Sequence, residues 1–167
     1  AAVERLYEKG ELPDQSRREQ LVGQLRAFHS SITPMFEAVA NEKYGKNAKF
    51  TDLLDKWAQE NDYTDLNEDE QLSLASKQHA YLLTNKILFY RVVEENKVET
   101  NDGGTLDPLF KGVAEGGAYH RLRVKFQEIQ DRIDYVPIFN DTTDAGEPTL
   151  FSEFPQSKKI DERLFEF

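Results

Sequence analysis

Cysteine is absent from this 167-residue chain, which removes disulfides and thiolate metal sites from consideration and fits a reducing compartment. No apolar run approaches the roughly 20 residues that a membrane-spanning helix needs. The opening Ala-Ala-Val has no signal-peptide pattern. Histidine is scarce: His29, His79 and His120 stand far apart, with no His-x3-His or His-Glu-x-x-His spacing for a helix-borne zinc. There is no Gly-x-Ser-x-Gly elbow and no phosphate loop ending in Gly-Lys-Ser/Thr. The carboxylate-rich stretches 62–70 and 141–147 lack the spaced oxygen ligands of a calcium loop. We therefore expect no catalytic, cofactor-binding or metal-ligating residue here. Methionine occurs once, at Met35, and the chain runs from Ala-Ala-Val to Leu-Phe-Glu-Phe. It reads as a piece excised from a longer protein.

What is present is helix-forming and acidic. The length suits one domain with a core of its own. A formal charge of −10, from 31 acidic and 21 basic residues, opposes non-specific nucleic-acid binding unless a local basic stripe supplies it. The strongest pattern is 78–95, apolar nearly all the way round a helix yet holding Asn85 and Lys86 at its centre. Such a helix belongs among other helices, and polar groups there must find partners.

The periodicity predicts an all-α fold, an irregular bundle around one long central helix. Asp14 is placed to cap a first helix whose face is Leu21, Leu25, Phe28 and Ile32. Thr33-Pro34 predicts a restart, with Pro34 at the first position of a new helix. Gly45 is placed to end that helix in the left-handed conformation. Thr51 is expected to start a short helix with Leu53, Leu54 and Trp57. Asn67 and Glu70 have capping-box spacing, and helix is expected from there to about Asn96. The run 101–104, Asn-Asp-Gly-Gly, breaks it. A short helix is expected over 106–113, then a break at Gly116-Gly117. The stripe Ala118, Leu122, Phe126, Ile129 and Ile133 favours helix over the strand that local alternation in 121–126 would suit. Ser157 is placed to start a last helix. The expected organisation is an exposed lead-in over 1–13, a helical bundle over 14–134 and a loop-rich C-terminal arm over 135–167.

Few residues invite a functional reading. His79 is expected to be a packed or solvated side chain on its helix. Asn85, in line with Tyr81, Leu82, Phe89 and Val92, is expected to be substantially buried, its amide setting register with a facing helix. Lys86 is expected to carry its ammonium to the surface along Leu83 and Tyr90. Arg91 would do the same or meet a carboxylate. His120, Arg121, Arg123, Lys125 and Arg132 are the one local reversal of the acidic background. On a helix, Arg121, Lys125 and Arg132 share the side opposite the apolar stripe. That side reads either as a phosphate contact or as a solvated face tied by Glu128 through i,i+3 and i,i+4 pairs. With Lys86 and Arg91, these are the candidate nucleic-acid residues.

The segment 80–92, Ala-Tyr-Leu-Leu-Thr-Asn-Lys-Ile-Leu-Phe-Tyr-Arg-Val, resembles a helix found upstream of the catalytic domain in large N6-adenine DNA methyltransferases. These belong to restriction-modification (type IIG-like) and phage-defence systems. The stretch 126–139, with its helix followed by Asp-Tyr and a turn ending in Phe, resembles the same region. That family's catalytic domain holds S-adenosylmethionine through a glycine-containing turn and positions adenine with Asn-Pro-Pro-Tyr/Phe. Neither motif occurs here, and Asn85 precedes Lys86 rather than Pro-Pro. The resemblance implies a non-catalytic connector or scaffold preceding the methyltransferase domain, which would be its partner in the same polypeptide. S-adenosylmethionine would serve only the parent, a cytoplasmic site-specific DNA methyltransferase with no membrane association. Backbone DNA contact would be a secondary role. The alternative is a helical protein–protein interaction module without nucleic-acid function.

Overall fold

A computed structural model describes residues 15–109, 117–133 and 138–166. It is all-α, with five described helices: α1 (Gln15–Lys43), α2 (Ala48–Glu60), α3 (Glu68–Glu95), α4 (Ala118–Ile133) and α5 (Lys158–Phe165). The only β pairing among the described residues is a single bridge between Thr142 and Pro148. The lead-in, the cap at Asp14, the break at Gly116 and the boundary at 134/135 lie outside the described residues.

Local chemistry sets most helix ends. Asn67 caps α3: its side chain accepts from the Glu70 backbone N–H at 3.0 Å, and the Glu70 carboxylate accepts from the Asn67 N–H at 2.9 Å. This is the reciprocal box expected from the spacing. Glu68, Asp69 and Glu70 place negative charge at the positive end of the α3 dipole. Ser157 caps α5 by accepting from the Ile160 N–H. Gly45 follows α1 at φ +72°, the left-handed conformation that a missing Cβ permits.

Two boundaries differ from expectation. The first two expected helices are one, with Pro34 inside α1. A proline removes one backbone hydrogen bond. Beside it, the Thr33 hydroxyl donates to the His29 carbonyl at 2.7 Å and the Ser31 hydroxyl to that of Phe28 at 2.9 Å. Phe28, Ile32 and Phe36 are all buried, so tertiary packing holds the helix through the proline. The start of α2 lies at Ala48 because Asn47, rather than Thr51, is the cap, its side chain accepting from the Phe50 N–H at 3.1 Å. Thr51 instead accepts from the Gly45 N–H, joining the turn to the helix. Of the helix expected over 106–113, the described part, 106–109, is not helical.

Helix α3 packs against α1, α2 and α4, while α5 packs on α4 and α1. Buried side chains from all five helices form one cluster, including Phe28 and Phe36 of α1, Trp57 of α2, Ile87 and Tyr90 of α3, and Phe126 of α4. The helix-poor segment 138–154 enters that cluster through Phe139, Leu150 and Phe154. Phe154 meets Phe36 and Phe50 edge-on, at ring-centre distances of 5.7 and 5.5 Å. A turn at 100–104 closes the other end. Asn101 donates its N–H to the Arg132 carbonyl at 2.8 Å, satisfying the C-terminus of α4. Gly103 sits there at φ +79°.

Candidate functional site

The apolar character of α3 requires its one buried cation to find a carboxylate, and the fold supplies it from 55 residues away. Lys86 is only 5% exposed. Its ammonium pairs with the carboxylate of Asp141, which is part-exposed in the C-terminal segment. The expectation that Lys86 would extend to solvent is corrected: segment 138–154 covers that side of α3, so the charge is met internally. The Phe126 ring lies 5.8 Å from the ammonium. Asp141 is held by its own backbone, whose carbonyl accepts from the Thr149 hydroxyl at 2.6 Å.

Two cavities meet at this pair. The larger, about 280 Å³, lies between α2, α3 and segment 138–151, with Leu53, Trp57, Leu82, Leu150 and Phe151 among its apolar walls. The smaller, about 20 Å³, is lined by His79, Tyr119, Arg123 and Phe126. Lys86, Asp141, Leu82 and Phe151 line both. His79 is packed within the core. Its ring stacks on Phe154 at 4.3 Å and meets Phe36 edge-on at 4.5 Å. Neither ring nitrogen has a protein hydrogen-bond partner. Burial first, and the Lys86 charge second, hold the imidazole neutral by lowering its pKa to about 3. Burial likewise keeps the Tyr119 phenol protonated, pushed up to about 12.

The other face of α4 carries a charge network built around the buried Lys125. Lys125 is 2% exposed, so Arg121, Lys125 and Arg132 do not form a solvated face opposite the apolar stripe. Lys125 pairs with Glu128 and lies 3.8 Å from Asp107. The Asp107 carbonyl accepts from the buried Tyr90 hydroxyl at 2.7 Å. Arg132 reaches Glu128 at 3.7 Å and Asp102 at 3.1 Å. Hydrogen bonds from Thr100 and then Arg132 hold the Asp102 carboxyl down at about 2.

The seven candidate nucleic-acid residues are therefore distributed rather than gathered. Lys86 and Arg123 line the small cavity, Lys125 and Arg132 share Glu128, and Arg91 lies by a separate groove among α1, α3 and α5. His120 and Arg123 are exposed, and Arg91 and Arg121 are half-buried. Asn85 is half-buried rather than substantially buried. Its neighbours Tyr81 (61%) and Val92 (49%) are exposed because that side of α3 faces outward. Sequence reading missed Asp141 and Tyr119. The one available signal was a lysine on an apolar helix, which demands an acid without saying which. Among the described residues no three of His, Cys, Asp or Glu gather in a metal-holding group, and no helix is long and apolar enough to cross a membrane. Compared with known proteins, the chain matches no family model, no curated protein and no solved structure.

Proposed function

We propose that this chain is a non-catalytic helical scaffold from an N6-adenine DNA methyltransferase of the restriction-modification type. Its role is to hold the neighbouring methyltransferase domain, in a cytoplasmic parent enzyme that uses S-adenosylmethionine. The observation that carries the reading is where the family-like segment 80–92 lies. Its Leu83, Ile87 and Tyr90 are buried in the common core, and its Lys86 anchors segment 138–154 through Asp141. The residues behind the resemblance serve architecture. DNA contact is secondary in this reading, because Lys86, Lys125 and Arg132 already pair with carboxylates of the same chain. The other four candidates are the exposed His120 and Arg123 and the half-buried Arg121 and Arg91, the last of which also faces Glu94.

Two measurements on the isolated chain test this. Methyl transfer from S-adenosylmethionine to duplex DNA is expected to be undetectable, and turnover would overturn the scaffold reading. Fluorescence anisotropy with a random duplex is expected to show weak binding at about 20 mM salt that vanishes near 150 mM. Charge reversal at Arg121 and Arg123 should abolish the low-salt signal. Binding that persists at the higher salt or ignores that reversal would remove this DNA-contact role.

One observation favours a second reading, a protein–protein interaction module. Leu21 and Val22 on α1, and Tyr81, Leu82 and Val92 on α3, are large apolar side chains left exposed. Exposed apolar groups in such numbers on two adjacent helices suit a protein partner. No binding to DNA at any salt, together with salt-insensitive capture of a partner protein, would favour it.

A further inference from the structure

The geometry points to a small-molecule site in the cleft between α2, α3 and segment 138–151, suited to a compact aromatic carboxylate. The ring would lie against Trp57 and Phe151, and the carboxylate would face Lys86 and Arg123. The site does not depend on the scaffold reading.

Shape and charge agree on this ligand. The cleft of about 280 Å³ is at the small end of ligand pockets, which admit one ring system more readily than an extended molecule. Leu82, Leu150, Trp57 and Phe151 make its walls apolar and partly aromatic. Lys56 and Glu60 stand on its α2 side, 3.9 Å apart, and cancel in charge. In the adjoining small cavity, which shares Leu82, Lys86, Asp141 and Phe151 with the cleft, the formal charges are Lys86, Arg123 and Asp141, two positive and one negative. Asp141 is neutralised by Lys86. The remaining positive charge is that of exposed Arg123, which favours an anionic head group.

His79 supplies the second, independent observation. It is 5% exposed, lines the inner cavity and has both ring nitrogens without a protein partner. A neutral imidazole carries one N–H donor and one acceptor, and a buried polar group lacking a partner is uncommon in folded proteins. The inner space of about 20 Å³ has room for roughly one water-sized group. A carboxylate oxygen could enter there and accept from His79 and Lys86. A ring could not follow it, so the head and body of the ligand have separate places.

The test titrates sodium benzoate, benzyl alcohol and benzylamine into the ¹⁵N-labelled full chain, following the His79 ring and the Trp57 indole by NMR. Benzoate is expected to shift both signals saturably, with a dissociation constant on the order of 1 mM, as a ligand of so few atoms allows. Benzyl alcohol should bind about tenfold more weakly, a loss of one charge-assisted contact, and benzylamine should not bind. Arg123→Gln, at an exposed position, should weaken benzoate at least several-fold without changing the thermal midpoint. Lys86→Met should abolish binding if it folds, and Arg123→Gln decides if it does not. No saturation by about 20 mM benzoate, an equal response to benzylamine, or an unchanged affinity in Arg123→Gln would each overturn the site.

Discussion

The α1–α3 pair and segment 138–154 reach the same core by opposite means. Helices α1 and α3 span 29 and 28 residues, about 40 Å each at the usual rise. Their backbone hydrogen bonds are satisfied locally, so side chains need only choose faces. Segment 138–154 contains no helix. It is held by side chains: Phe139, Leu150 and Phe154 in the core, and Asp141 on Lys86. A tight turn supports it, with the Gly146 N–H donating to the Thr143 carbonyl at 2.8 Å and that of Thr143 to Glu147 at 2.9 Å. Regular structure distributes its stability over many equivalent bonds, whereas an irregular segment concentrates it in a few anchors. The Lys86–Asp141 pair, the two cavities that it lines and the buried His79 lie where the two meet.

That contrast predicts that single substitutions hurt the irregular segment most. Phe154→Ala should have the largest effect, a loss of about 3–5 kcal/mol for a buried aromatic. The ring stacks on His79 and touches Phe36 and Phe50. Urea unfolding measures it, and a loss below about 1 kcal/mol would show that the segment is not anchored there. Next is Asp141→Ala, which strands the Lys86 ammonium. Removing one partner of a fully buried pair costs about 3–5 kcal/mol. Asp141 is about one-third exposed, so water can reach the site, and about 2 kcal/mol is expected. The double variant with Lys86→Met should recover most of that loss. A double-mutant cycle with no coupling would contradict the pairing.

Smaller at neutral pH, but distinctive, is the effect of His79. Its folded pKa is lowered to about 3 from an ordinary 6.5. Between those values the unfolded chain binds a proton that the folded chain does not. Stability therefore rises with pH across this window and is lost as pH falls from 6.5 toward 3. At pH 5 the loss is about 2 kcal/mol, at 1.36 kcal/mol per pH unit below 6.5. In His79→Phe, which keeps a ring against Phe154, that component should vanish. The measurement is the difference in unfolding free energy between wild type and variant at pH 7 and at pH 5. An equal pH dependence in the two would mean that the imidazole titrates freely in the folded protein.

The same contrast governs what could be read from sequence. Local rules found the capping box at Asn67, the left-handed Gly45, the cap at Ser157 and the helical stripe 118–133, because each depends on neighbours within four residues. They failed where a distant partner decided. Pro34 signalled a restart, but core packing of Phe28, Ile32 and Phe36 carried α1 through it. Lys86 looked solvent-bound because sequence could not place Asp141 beside it; for Lys125 the i,i+3 spacing did give its partner Glu128, but not its burial or the nearby Asp107. The inner cavity was hidden for the same reason: His79 and Asp141 lie 62 positions apart in the numbering. Asn85 was misjudged because an apolar pattern on nearly every side of α3 did not show which side the fold would leave uncovered.

The smallest predicted effect lies in the regular half and sharpens the comparison there. Asn67→Ala removes the side chain that accepts from the Glu70 N–H. It leaves the Glu70 carboxylate free to accept from the residue-67 N–H, the second bond of the box. A lost cap of this kind costs about 1 kcal/mol. Asn67 is exposed, so water replaces part of the bond and the core is untouched. The loss should appear as faster amide hydrogen exchange in the first turn of α3, with the exchange of Phe139, Leu150 and Phe154 following only the small change in global stability. If those three amides instead open selectively, the end of α3 and segment 138–154 unfold as one unit, and the division between distributed and anchored stability fails.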